Sequence, residues 1–219
     1  MAALMTTAPY VPPTPDFSWL VLLKLLLLLG VSVAVFAWQV RRWTTHRGWR
    51  ALLDWSRERG FRLSRPDRPA GEPFDRLREA RVTTVLESGP TSAMQLVASS
   101  DAAPNQPVRW HVLVRDLPSA WPPTGLRPTH APSSLLDQFS LSSYPRMGES
   151  ERFIIFGTDS HAARVLSKGQ ARALLPPDIG LLLHGRHMVL DFSTRPFDGI
   201  ELGRMVALAD QLVQHLPVV

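Results

Sequence analysis

Seven histidines and no cysteine bound the chemistry open to this 219-residue chain. Without a thiol there is no disulfide, no thiolate zinc or iron–sulfur site and no cysteine nucleophile. His184 and His187 draw notice first, because they flank Gly185-Arg186 and Asp191 lies four residues further on. A two-residue turn with Gly in its first position would make the two histidines facing neighbours of a β-hairpin. A catalytic metal generally takes three protein ligands in fixed geometry, so the expected reading is a polar hairpin end. Metal-dependent activity at His184, His187 and Asp191 is the enzymatic alternative. Asp159, Ser160 and His161 stand in succession without the G-x-S-x-G frame, and adjacent residues do not readily form a Ser–His relay. Thr158 or Asp159 as a helix cap explains them more simply. No P-loop, dinucleotide fingerprint, H-E-x-x-H or EF-hand pattern occurs. The expectation is therefore a non-enzyme with no cofactor, no metal and no small-molecule substrate.

The elements that would position these residues read as α+β. RVTTVLE (81–87), AMQLVA (93–98), VRWHVLVRDL (108–117) and RFIIF (152–156) are β-rich runs bounded by turn residues. In the third, Val108, Trp110, Val112 and Val114 alternate with Arg109, His111, Leu113 and Arg115, which predicts one buried face. Residues 118–132, PSAWPPTGLRPTHAP, read as a long loop. Residues 161–175 read as an interrupted helix, and 180–192 as the hairpin. An amphipathic helix over 197–216 is capped by Asp198, and Gly60 stops a helix over 44–59. An antiparallel sheet packed with helices follows.

From Ser18 to Val40 the chain carries one charge, Lys24, and about 20 apolar residues suffice to cross a bilayer. The expectation is an N-terminal transmembrane helix with Trp19, Trp38 and Trp43 as interfacial anchors and Lys24 snorkelling to the near interface. Residues 1–17 hold no Lys or Arg and the apolar run is long, so a cleaved signal peptide is not expected. Arg41, Arg42, Arg47 and Arg50 follow the run, which puts the N-terminus outside and the rest in the cytoplasm. Residues 41–81 hold twelve Arg against six acids, a net of +6, whereas 82–219 net −1. A basic collar of this kind attracts anionic lipid at about 1 kcal/mol per residue, and nucleic acid is not an expected partner. The expected organisation is a Pro-rich extracytoplasmic tail (1–17), the span (18–40), a basic helix and linker (41–80) and a cytoplasmic domain (81–219). The span lacks His, so it offers no ordinary axial ligand to a haem or chlorophyll.

The stretch RFIIFGTDSHAARVLSKGQARALLPPDIGLLLHGRHMVLDF (152–192), with the helix that follows, resembles the cytoplasmic domain of bacterial single-span membrane proteins of the DUF3137 type. The resemblance covers the last third of the chain, rests on element order and apolar pattern, and transfers no catalytic position. It implies an α+β domain on a membrane tether. The functional expectation is a non-catalytic assembly subunit among the integral subunits of a bacterial inner-membrane complex. An energy-converting host, respiratory or a photosynthetic reaction centre with its antenna, is the natural one. Tyr10, Phe17, Trp121 and Leu126, within or beside the Pro-rich segments, are the expected partner contacts. A stand-alone membrane-tethered binding module is the alternative.

Overall fold

The computed structural model describes residues 19–64, 81–100, 103–130, 136 and 144–216. The elements are α1 (Trp19–Glu58), β1 (Arg62–Ser64), β2 (Arg81–Ser88), β3 (Thr91–Ser100), β4 (Ala103–Pro128), β5 (Arg146–Glu149), β6 (Phe153–Gly157), α2 (Ser160–Lys168), α3 (Gln170–Leu174), β7 (Gly180–Asp191) and α4 (Gly199–His215). The fold is α+β with a seven-stranded antiparallel sheet. The chain divides into two compact units, residues 1–47 and 48–219.

The expected transmembrane helix is corrected: among the described residues no helix is long and apolar enough to cross a membrane. Lys24 places a charge within the apolar run. α1 instead continues as one helix through the arginines to Glu58. It ends where expected. Gly60 adopts φ 73°, its N–H donates to the Arg57 carbonyl, and that of Phe61 donates to the Ser56 carbonyl at 2.7 Å. This reciprocal pair closes the orphan carbonyls of the last turn and needs a residue without Cβ at Gly60.

In the second unit, β4 organises the sheet. Its first half pairs with β3 (Thr91↔Arg115 to Ser100↔Ala103), and its last residues pair with β6 (Thr124↔Gly157 to Pro128↔Phe153). Along its other edge it pairs with β7, from Val112↔Asp191 to Leu126↔Leu181. Two expectations fall here. Residues 180–192 are one strand of a long antiparallel pair, and 118–128 are strand residues of β4. The prolines are accommodated by irregular register: five steps along β4, Asp116 to Trp121, face two along β7, His187 to Gly185. Pro118, Pro122 and Pro123 fall in this bulged region, where missing ladder donors cost least. Gly185 supplies the matching distortion on β7 with φ 57°.

Both faces of the sheet are buried, where alternation predicted one. Leu113, Leu183, Met188 and Leu190 pack beneath α2, α3, α4 and the end of α1, while Trp110, Val112, Leu182 and Val189 form a second apolar cluster. A strand covered on both faces reads as a continuous apolar run, which is what LLLH and HMVL are. The end of α1 belongs to the first cluster through Leu52 and Trp55, the latter stacked on Phe61 at 5.3 Å. Trp55 lies over Gly199 and Gly203 of α4, so close that a Cβ on Gly199 would stand 2.6 Å from its Cγ.

Candidate functional site

The irregular β4–β7 pairing opens a surface cleft of about 540 Å³ lined by Asp116, Leu117, His184, Gly185, Arg186 and His187. The bulge carries Asp116 to the strand edge opposite His187, whose Nδ1 lies 3.2 Å from the Asp116 carboxylate, where it donates. Arg186 donates from Nη2 to the Pro118 carbonyl at 3.3 Å. The two histidines singled out by sequence therefore share one cleft. Asp191 does not join them. It lies four residues along the strand, buried, where its carboxylate accepts from the Ser193 N–H at 3.1 Å and from the Ser193 hydroxyl. Among the described residues there is no group of three or more His, Asp or Glu able to hold a metal. Extended backbone rises about 3.3 Å per residue, so the strand that replaces the hairpin carries Asp191 away from the two histidines. The cleft lining pairs an imidazole with a carboxylate and adds the Arg186 guanidinium beside them.

Asp159 caps α2, its carboxylate accepting from the Ala162 N–H at 2.8 Å, so the Asp–Ser–His succession is a helix start. Asp198 does the same for α4 through the Glu201 N–H.

A second polar cluster lies where β4 meets the segment after β7. Arg195 makes a two-point contact with Asp178, 2.7 Å from Nε and 2.7 Å from Nη2, and donates from Nη1 to Glu201 at 2.6 Å. The Arg195 guanidinium holds the Asp178 carboxyl below the usual carboxylate range, and Asp178 in turn raises the guanidinium further. Glu201, 5% exposed, also accepts from Arg204 at 3.1 Å. His111 donates from Nδ1 to the Arg195 carbonyl at 2.7 Å and meets Gln95 through Nε2 at 3.2 Å. Burial, the largest influence, lowers its pKa below the ordinary histidine value. The sequence pattern gave His111 no role beyond one face of its strand and gave Arg195 none. Their partners come from β3, the 177–178 turn and α4, which no local spacing connects.

Of the expected lipid and partner residues, Trp19 and Arg50 are exposed. Arg41, Arg42, Arg47, Trp38 and Trp43 are helical, their side chains outside the described set, and Tyr10 and Phe17 lie outside the described residues. The partner-contact expectation fails for Trp121 and Leu126. They are 3% and 0% exposed in the helix-side core, because the β4 bulge turns the indole inward and Leu126 sits in the ladder between β6 and β7. Neither has surface to offer another chain.

Comparisons with protein-family models, curated proteins and solved structures find no match to this chain.

Proposed function

We propose that the chain is a non-catalytic assembly subunit of a larger bacterial membrane complex, docked on other subunits through the apolar part of α1. One observation carries this reading. Leu25, Leu26, Leu27 and Leu28 are each exposed by 58% or more. Successive helix residues point about 100° apart, so four in a row expose apolar surface around the whole circumference. Leu22, Leu23, Val31 and Phe36 extend it. A single partner helix covers one seam and leaves the rest in water. Surroundings that are apolar on every side answer the pattern, and the packed faces of several partner subunits supply them. The arginines that follow, with Arg50 exposed, add attraction to anionic headgroups. The β4–β7 cleft presents His187, Asp116 and Arg186 as polar groups for recognition.

Mild-detergent extraction followed by native sizing tests the reading. The expected outcome is co-purification with large integral subunits in fixed stoichiometry. Recovery as a free monomer or homodimer overturns it and favours the stand-alone tethered module.

A further inference from the structure

The end of α1, the turn between β2 and β3, β4 and α4 enclose a cavity of about 180 Å³. Its lining divides by chemistry. Trp55, Phe61 and Val206 form an apolar side, the two rings stacked on each other at 5.3 Å. The polar side is built around Arg115, whose Nη1 donates to the buried Thr91 hydroxyl and whose Nη2 lies 2.8 Å from the Asp210 carboxylate. These contacts fix the guanidinium and leave others of its five N–H groups uncommitted. Arg59 and Ser88 complete that side, and among the described residues neither side chain has a hydrogen-bond or ion-pair partner. The Trp55 Nε1–H has none either. Among the described residues the lining therefore offers donors, two of them cationic, and no carboxylate.

Gly203 gives the cavity a purpose that packing does not. It is the fifth residue of α4, inside a helix, where Gly is among the poorest formers and Ala the best. Its backbone is ordinary, and a Cβ there would stand 3.6 Å from Trp55 Nε1, a normal contact. Gly199 differs, because its Cβ would collide with the same indole at 2.6 Å. What the absent methyl at Gly203 does is leave the indole N–H uncovered at the cavity.

We propose that this cavity binds a small carboxylate with a flat apolar body, the carboxylate held by Arg115, Arg59 and Ser88 and the body set against Trp55, Phe61 and Val206. Guanidinium groups match a carboxylate with paired donors. Inorganic phosphate would meet the same donors but leave the apolar side unused. The volume is below the roughly 300–1,000 Å³ of sites for drug-sized ligands, which limits the body to about one ring. The site lies wholly within residues 48–219, so it stands or falls separately from docking through the apolar part of α1.

Benzoate is the probe, with benzamide as its uncharged counterpart and inorganic phosphate as an anion without a ring. Each is titrated into isotope-labelled full-length protein in mild detergent while NMR follows the indole N–H resonances, that of Trp55 being identified by its loss in Trp55→Phe. Benzoate is expected to shift the Trp55 resonance saturably, and benzamide and phosphate to bind at least about tenfold more weakly, the scale of a lost hydrogen bond to a charged group. Arg59→Gln should weaken benzoate by about tenfold on the same grounds. Gly203→Ala should weaken it at least as much while the melting temperature stays level or rises. No saturable shift in the unaltered protein, benzamide or phosphate binding as tightly as benzoate, or undiminished affinity in Gly203→Ala overturns the site. Should Gly203→Ala not fold, Arg59→Gln decides, since that side chain is exposed: a tenfold loss supports the site and unchanged affinity refutes it.

Discussion

At the scale of single residues, Arg195 is the charge on which most others depend. Replacing it with Gln leaves the Glu201 carboxylate, nearly inaccessible, with only the exposed Arg204, and frees Asp178. The expected loss of stability is about 1–3 kcal/mol, whereas Arg204→Gln should cost under about 1 kcal/mol because its side chain is mostly solvated. Urea denaturation of the two variants checks the ordering, and equal effects would mean that the network is only peripheral. The pH dependence has a definite sign. The folded Asp178 has a depressed pKa, so its contribution is present above the ordinary aspartate value and lost as pH falls through the folded one. The folded His111 also has a depressed pKa, so stability is present above the ordinary histidine value and lost on acidification below it. Acid denaturation should thus show a first loss that His111→Asn removes and a later one that Arg195→Gln removes.

At the scale of elements, the two glycines that matter act for different reasons. Gly185 has open space around the position of a Cβ but a positive φ, so Gly185→Val meets strain alone. That strain is about 1–2 kcal/mol, and Asn, which tolerates this backbone region, should recover most of it. Gly199 has ordinary backbone but lies against Trp55, and Gly199→Val must push the indole away at about 1–3 kcal/mol. Thermal melts of these variants, with Trp55→Ala added to Gly199→Val, separate the two mechanisms: only the Gly199 defect should shrink when the indole is gone. These positions also show what was legible in sequence. The helix ends at Gly60, Asp159 and Asp198 were, because capping is local chemistry. The strand over 180–191 was not, because Gly-Arg between two apolar runs satisfies a turn as well as a bulge, and the choice is made by the irregular edge of β4, more than fifty residues away in the chain. The β4 prolines misled for the same reason, and with them the placement of Trp121 and Leu126 on the surface. His184 and His187 share a cleft but do not face each other across a turn as expected, and the Asp116 partner, supplied across the sheet, was not legible.

At the scale of the whole molecule, the position of the domain boundary decides what can fold by itself. Sequence composition placed it at 81, after the basic linker, but the second compact unit begins at Gly48. Leu52 and Phe61 are 3% and 7% exposed in its core, Trp55 packs against α4, and β1 extends the sheet through Arg62↔Glu87 to Ser64↔Val85. Burying a large apolar side chain contributes roughly 1.5–3 kcal/mol. Losing three of them removes a large share of a stability that is typically about 5–15 kcal/mol. A protein starting at Gly48 should therefore unfold cooperatively in urea. One starting at Arg81 should lack a cooperative transition or aggregate, because the face of α4 that receives Trp55 is then bare. Cooperative folding of equal stability in both would show that the end of α1 rests on the second unit without contributing to its core, and would return the boundary to 81.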